Sequence, residues 1–156
     1  MLYLLIYNLI MTKVKIYNFQ DIYDFTFAGN CTITIESGNT GKWFTFKIKH
    51  ADKKNPTSPY FVSLLTGPQN TTDFKYIGVI FDRNTFKLSQ KSKMSLDSIP
   101  FKAFDYFFKH LIKGYIPENL FVYHSGTCGC CGRKLTTPES ISRGLGPVCS
   151  KSKILA

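Results

Sequence analysis

Cys128 and Cys131 stand at C-x-x-C spacing, and Cys149 follows after a glycine-containing stretch. Two thiolates at that spacing can grip one ion from a single tight turn, and a closed structural zinc site takes four ligands. The chain has 5 cysteines, and only Cys31 lies outside residues 128–149. A disulfide framework spreads its pairs along the chain, so this crowding points to a metal site in a reducing compartment. Gly132 directly follows the second thiolate. A residue without a Cβ lets backbone N–H groups turn toward sulfur and soften its charge. Three candidates compete for the fourth position. His124 comes first, close enough upstream for a strand-to-turn approach. Cys130 is second, because its side chain should point away from an ion held by both neighbours. Cys31 is third, since it falls on a predicted strand where a buried apolar role is expected. The expected ligand set is therefore His124, Cys128, Cys131 and Cys149 around Zn2+.

The residues between the two halves of this cluster read as a short helix. Thr137 is the predicted cap, Pro138 the first helical residue, and Glu139 sits favourably near the N-terminus. Ile141 should face a small core, and Gly144 should end the helix. Gly146 and Pro147 then fix the backbone just before Cys149. A segment of about 30 residues is too short for a core of its own. Zinc would supply much of its folding free energy, on the order of 10 kcal/mol in small zinc peptides.

Upstream, the pattern is that of a sheet entered through a helix. Residues 18–29 predict a short amphipathic helix with Ile22, Phe25 and Phe27 as its apolar contacts. "CTITIES" and "KWFTFKIK" alternate at period two around the turn "GNTG", a hairpin signal. In the second strand Phe44, Phe46 and Ile48 share one face. Trp43, Thr45, Lys47 and Lys49 share the other. "YFVSLLT" and "FKYIGVIFD" predict two further strands, and "NTFKLSQ" a short edge strand. The period then changes. Phe101, Phe104, Phe108 and Leu111 mark one face of a helix, with Ser98 as its cap, Pro100 in its first turn and Gly114 past its end. The expected fold is α+β: an antiparallel β-sheet packed with one main amphipathic helix, plus a small C-terminal zinc-knuckle module. We divide the chain into an α+β domain over 12–115 and a zinc-binding module over 121–151. Residues 1–10, "MLYLLIYNLI", are too short to span a bilayer and lack a signal-peptide pattern. They read as an upstream extension, with an extra buried strand or a peripheral anchor as alternatives.

Lys+Arg 20 against Asp+Glu 10 gives a net charge of +10. That balance suits an acidic partner, of which nucleic acid, DNA or RNA, is the usual one. Arg133, Lys134, Arg143 and Lys151 are the candidate phosphate contacts in the module, and Lys47 and Lys49 those of the hairpin. Trp43 and Phe61 would stack on unpaired bases if exposed. Each has a plainer reading: Trp43 as a cover for the sheet, Arg133 as a brace for the knuckle. For an enzyme the sequence offers little. The zinc-deaminase pattern of H-x-E with P-C-x-x-C is absent, and the glycine-containing turns lack a P-loop lysine. The expectation is a protein without catalytic residues.

The stretch "CGCCGRKLTTPESISRGLGPVC" resembles the C-terminal motif of small bacteriophage and prophage proteins of unknown function. Their pattern is approximately C-x-x-C-G-R-x-L-T-x-P-x-S-I-x-x-G-x-G-P-x-C with a His just upstream. Cys128, Cys131, Gly132, Arg133, Leu135, Thr136, Pro138, Ser140, Ile141, Gly144, Gly146, Pro147 and Cys149 match it, and His124 fits the upstream His. Cys130 departs from it, where a basic or polar residue is usual. "FAGNCTITIES", "TGKWFTFKI" and "FVSLLTGPQNTTDFKYIGVIF" extend the likeness over most of residues 25–149. The resemblance implies a zinc site and a viral origin; with the clustered cysteines and no membrane-length apolar stretch, the expected setting is the host bacterial cytoplasm, without a membrane. The resemblance implies no activity. The alternative to a nucleic-acid partner is a host or phage protein, with the chain acting as a modulator or inhibitor of a host enzyme or defence complex.

Overall fold

The computed structural model describes residues 13–67 and 72–155. The 1–10 extension therefore lies outside the described residues. Among the described residues seven strands form one antiparallel sheet: β1 (Val14–Ile16), β2 (Asn30–Ser37), β3 (Trp43–His50), β4 (Tyr60–Leu65), β5 (Phe74–Phe81), β6 (Thr85–Leu88) and β7 (Leu120–His124). Their order across the sheet is β1-β7-β2-β3-β4-β5-β6. The predicted hairpin is β2–β3, with Ile33 opposite Phe46 and Thr34 opposite Thr45.

Alternation sorts the side chains as the sequence implied. Cys31, Ile33 and Ile35 of β2 and Phe46 and Ile48 of β3 are buried on one face. Three helices and the C-terminal segment cover that inner face. Helix α1 (Phe19–Thr26) is capped by Asn18, whose side chain accepts from the Asp21 N–H, and buries Ile22 and Phe25. Helix α2 (Ile99–Lys113) buries Phe104, Phe107, Phe108 and Leu111. The Phe104 ring lies 4.9 Å from Phe46 and 4.7 Å from Phe86, so the aromatic stripe is core. Gly114 ends α2 in the left-handed region. Ser98 occupies the cap position but makes no side-chain cap bond, and its Oγ is buried without a partner. Two further helices follow, α3 (Pro138–Arg143) and α4 (Pro147–Leu155).

Strand β7 changes the picture of the tail. It was not anticipated as a strand, yet it lies inside the sheet, paired with β1 on one side and β2 on the other. The boundary drawn between residues 115 and 121 therefore crosses into one shared sheet. Cys128, Leu135 and Leu145 join the same buried cluster as Phe25 and Ile33.

Candidate metal centre

Strand β7 leads into a tight knuckle. Thr127 pairs with Lys134 across it, the Cys128 N–H donates to the Arg133 carbonyl at 2.8 Å, and the Gly132 N–H returns to the Cys128 carbonyl at 2.9 Å. Gly132 turns the chain at φ 78, a conformation that a side chain would strain. Helix α3 begins as expected, with Thr137 accepting from the Ser140 N–H and Pro138 in the first turn. Gly144 ends it at φ 74. A Cβ added at Gly129 or Gly144 would lie 2.7 Å from the Phe25 ring. These two glycines thus let the knuckle and the end of α3 settle onto α1, on the inner side of the sheet. The Asn30 N–H bonds the Gly129 carbonyl at 2.8 Å and the Gly129 N–H bonds the Gly144 carbonyl at 2.9 Å. From the loop after β3, Lys53 Nζ donates to the Cys130 carbonyl at 2.7 Å. Nothing in the sequence pairs those two residues in advance.

The sulfurs of Cys128, Cys131 and Cys149 lie within 4.8 Å of one another. Three thiolates around a tetrahedral ion at 2.3 Å would stand about 3.8 Å apart, so a small inward adjustment closes the set. Cys128 is buried, Cys149 half-buried and Cys131 exposed. The Cys128 sulfur accepts from the Gly146 N–H at 3.3 Å and the Cys130 N–H at 3.5 Å. Burial pushes the Cys128 thiol up, but the N–H groups of Cys131, Gly146 and Cys130 outweigh it and bring the value down to about 7. Cys149 lies in the first turn of α4, where the helix end favours a thiolate. Burial and the nearby Cys130 and Cys128 thiols nevertheless push it up. The closeness of their sulfurs positions Cys128, Cys131 and Cys149 to bind a metal ion.

His124 does not join them. It is 2% exposed on the inner face of β7. Its Nδ1 accepts from the Gly126 N–H at 2.9 Å, which makes Nε2 the donor to the Ile141 carbonyl at 2.5 Å. Both nitrogens are committed, and the ring ties β7 to α3. The expected fourth ligand is in this arrangement a clamp, and burial lowers its pKa. Cys31 is fully buried, with its Sγ directed at the Thr26 carbonyl at 3.6 Å, in keeping with an apolar role.

The basic candidates fall into two groups. Arg133 and Lys134 line a cavity of about 210 Å³ beside the three thiols. Arg143 spends its Nη1 on Ser150 Oγ at 3.0 Å, bracing α3 against α4, while Lys151 is exposed. Trp43, Lys47 and Lys49 lie on the outward face of β3, and Lys49 stands opposite Asn30, whose N–H bonds the Gly129 carbonyl of the knuckle.

Residues 118–152 match the model of DUF6011, a family of unknown function. The match takes in β7, the knuckle, α3 and the start of α4, and stops short of β1–β6. No curated protein and no solved structure matches the chain. Among the described residues no helix is long and apolar enough to cross a membrane.

Proposed function

We propose that the chain is a non-catalytic, zinc-stapled protein of bacteriophage type that contacts nucleic acid through basic surface. The zinc reading rests on soft thiolate donors with N–H groups aimed at one of them. Cys128, Cys131 and Cys149 would hold the ion. Cys130, adjacent to Cys131 in the knuckle, is our choice for the fourth donor; its sulfur lies outside the group of three and would have to turn inward. Bound there, zinc would neutralise the thiolates and tie α4 to the knuckle. The absence of catalysis is supported by His124, the only histidine in the C-terminal segment: both nitrogens are occupied, so it is not free to act as a base beside Cys128.

The nucleic-acid reading is carried by one observation. The seven strands contain Lys15, Lys47, Lys49, Lys75 and Lys87 but a single acid, Glu36. That acid is engaged by Lys13 at 3.4 Å and by the Tyr123 hydroxyl at 2.8 Å. A fluorescence-anisotropy titration with labelled oligonucleotides tests it. Binding should appear at low salt and weaken steeply as salt rises. No binding at low salt would defeat the reading. The exposed rings of Trp43, Phe61 and Phe81 favour a second reading, a protein partner of the kind a modulator of host machinery would need. Capture of one stoichiometric protein from infected cells, with no oligonucleotide affinity, would establish it instead.

A further inference from the structure

Helices α1, α2 and α3 lie on the inner face of the sheet, and the outward face carries rings interleaved with lysines. Trp43 is 54% exposed, Phe61 41% and Tyr76 37%. The Lys13 Nζ sits 4.2 Å from the Tyr123 ring centre and 5.5 Å from that of Trp43. Farther along the same face, on β4 and β5, Phe61 and Tyr76 meet edge to face at 5.8 Å and open onto a broad hollow of about 660 Å³ that also includes Gln90 and Lys91. Lys47 and Lys49 stand between the two ring clusters.

We propose that this outward face is a platform for single-stranded nucleic acid, with bases stacked on Trp43, Tyr123, Phe61 and Tyr76 and phosphates following Lys13, Lys47 and Lys49. It rests on the nucleic-acid reading above and names its surface. The lysines lying over the rings break the apolar area, which suits a polyanion better than an apolar protein surface. Lys13 can shift on its flexible stem to meet a phosphate while staying beside Glu36, and a base can take its place over the rings, since stacking on a ring outweighs an exposed cation–π contact. The flat rings also require unpaired bases. A sheet of seven strands is about 29 Å across, too wide for the major groove of about 12 Å that admits a helix or a two-stranded ribbon.

Trp43 is the protein's one tryptophan, so its fluorescence reports this face alone. The test uses the full zinc-loaded chain and a dT oligonucleotide of about ten nucleotides. Binding should quench Trp43, and a duplex of equal length should bind at least about tenfold more weakly. Phe61→Ala and Tyr76→Ala should each weaken dT binding about tenfold while leaving the circular dichroism spectrum unchanged. Arg133→Ala with Lys134→Ala should change it less than about twofold. Binding that leaves Trp43 unquenched and is lost with Arg133 and Lys134 would overturn this proposal but keep the nucleic-acid reading. So would equal affinity for duplex. No binding of any oligonucleotide at low salt would end both.

Discussion

Phe104 and Cys128 are buried alike, 0% and 1% exposed, but their surroundings differ in kind. Phe104 sits among Phe46, Phe86, Phe107 and Phe108, with ring centres 4.7 to 6.2 Å away. Cys128 sits among backbone N–H groups and two other thiols. Between residues 125 and 150 the buried apolar side chains are Cys128, Leu135 and Leu145. The sheet and α2 are thus held by non-directional apolar burial, which persists in any aqueous buffer. The tail is held by directed bonds and by whatever neutralises its sulfurs. On the zinc reading proposed above, the stability of the first half would be a property of the sequence and that of the second would depend on the metal in the solution.

Removing the metal should therefore cut the molecule unequally, and it is the largest perturbation we foresee. Zinc binds small thiolate modules with on the order of 10 kcal/mol. With a strong chelator, amide exchange at Cys128, Gly129, Gly132 and Ser150 should accelerate by orders of magnitude, while the β3 and β4 amides stay protected. Equal loss in β3 and β4 would mean that the two halves unfold together and that the contrast is only one of chemistry. The converse experiment is Phe104→Ala. It should cost about 3–5 kcal/mol in denaturant unfolding and leave a single metal ion per chain under native conditions. Loss of the metal in that variant would tie the tail to the core more tightly than the Asn30–Gly129 and His124–Ile141 bonds suggest.

The same contrast explains what could be read from the chain. Period-two alternation gave the β2–β3 hairpin and its faces, because burial on one side of a sheet leaves a local trace. The Phe stripe of α2 and the Thr137–Pro138–Gly144 frame of α3 were legible for the same reason: each signal lies within one turn of its cause. Strand β7 was missed although Pro117, Asn119 and Ser125–Gly126 bracket "LFVYH" with turn residues, because its partners β2 and β1 lie about 90 and about 110 residues upstream. With β7 unseen, His124 had no assigned face. Once it is a strand residue pointing inward, its two nitrogens meet the Gly126 N–H and the Ile141 carbonyl. Helix α4 was also missed, though Pro147 at its first position was a usable sign.

His124 sharpens the comparison because it belongs to both halves. Its replacement by Gln should destabilise the chain by about 1–3 kcal/mol through unmet buried partners, with the metal retained. Cys130→Ser should weaken metal binding more than His124→Gln does, the reverse of the order the sequence alone suggested. Competition against a chromogenic chelator ranks the two. The histidine also carries a pH signature. Burial holds its folded pKa below the ordinary value of 6.5, so the unfolded chain takes up the proton first. Stability should fall as pH drops below about 6.5, and that slope should be shallower in His124→Gln.

The smallest effect is expected at Thr137. Its Oγ1 accepts from the Ser140 N–H at 3.4 Å and donates to Ser140 Oγ at 3.0 Å. Losing such a cap costs about 1 kcal/mol. Set against the core this is minor, and denaturant unfolding of the sheet should barely register it. Set against the tail it is not, because α3 spans the chain between the two halves of the thiol cluster. If ordering the tail and binding the metal are one event, Thr137→Ala should lower metal affinity about fivefold, the same 1 kcal/mol read at a different place. An unchanged affinity would show the tail already ordered before the metal arrives, with the thiols merely completed by it.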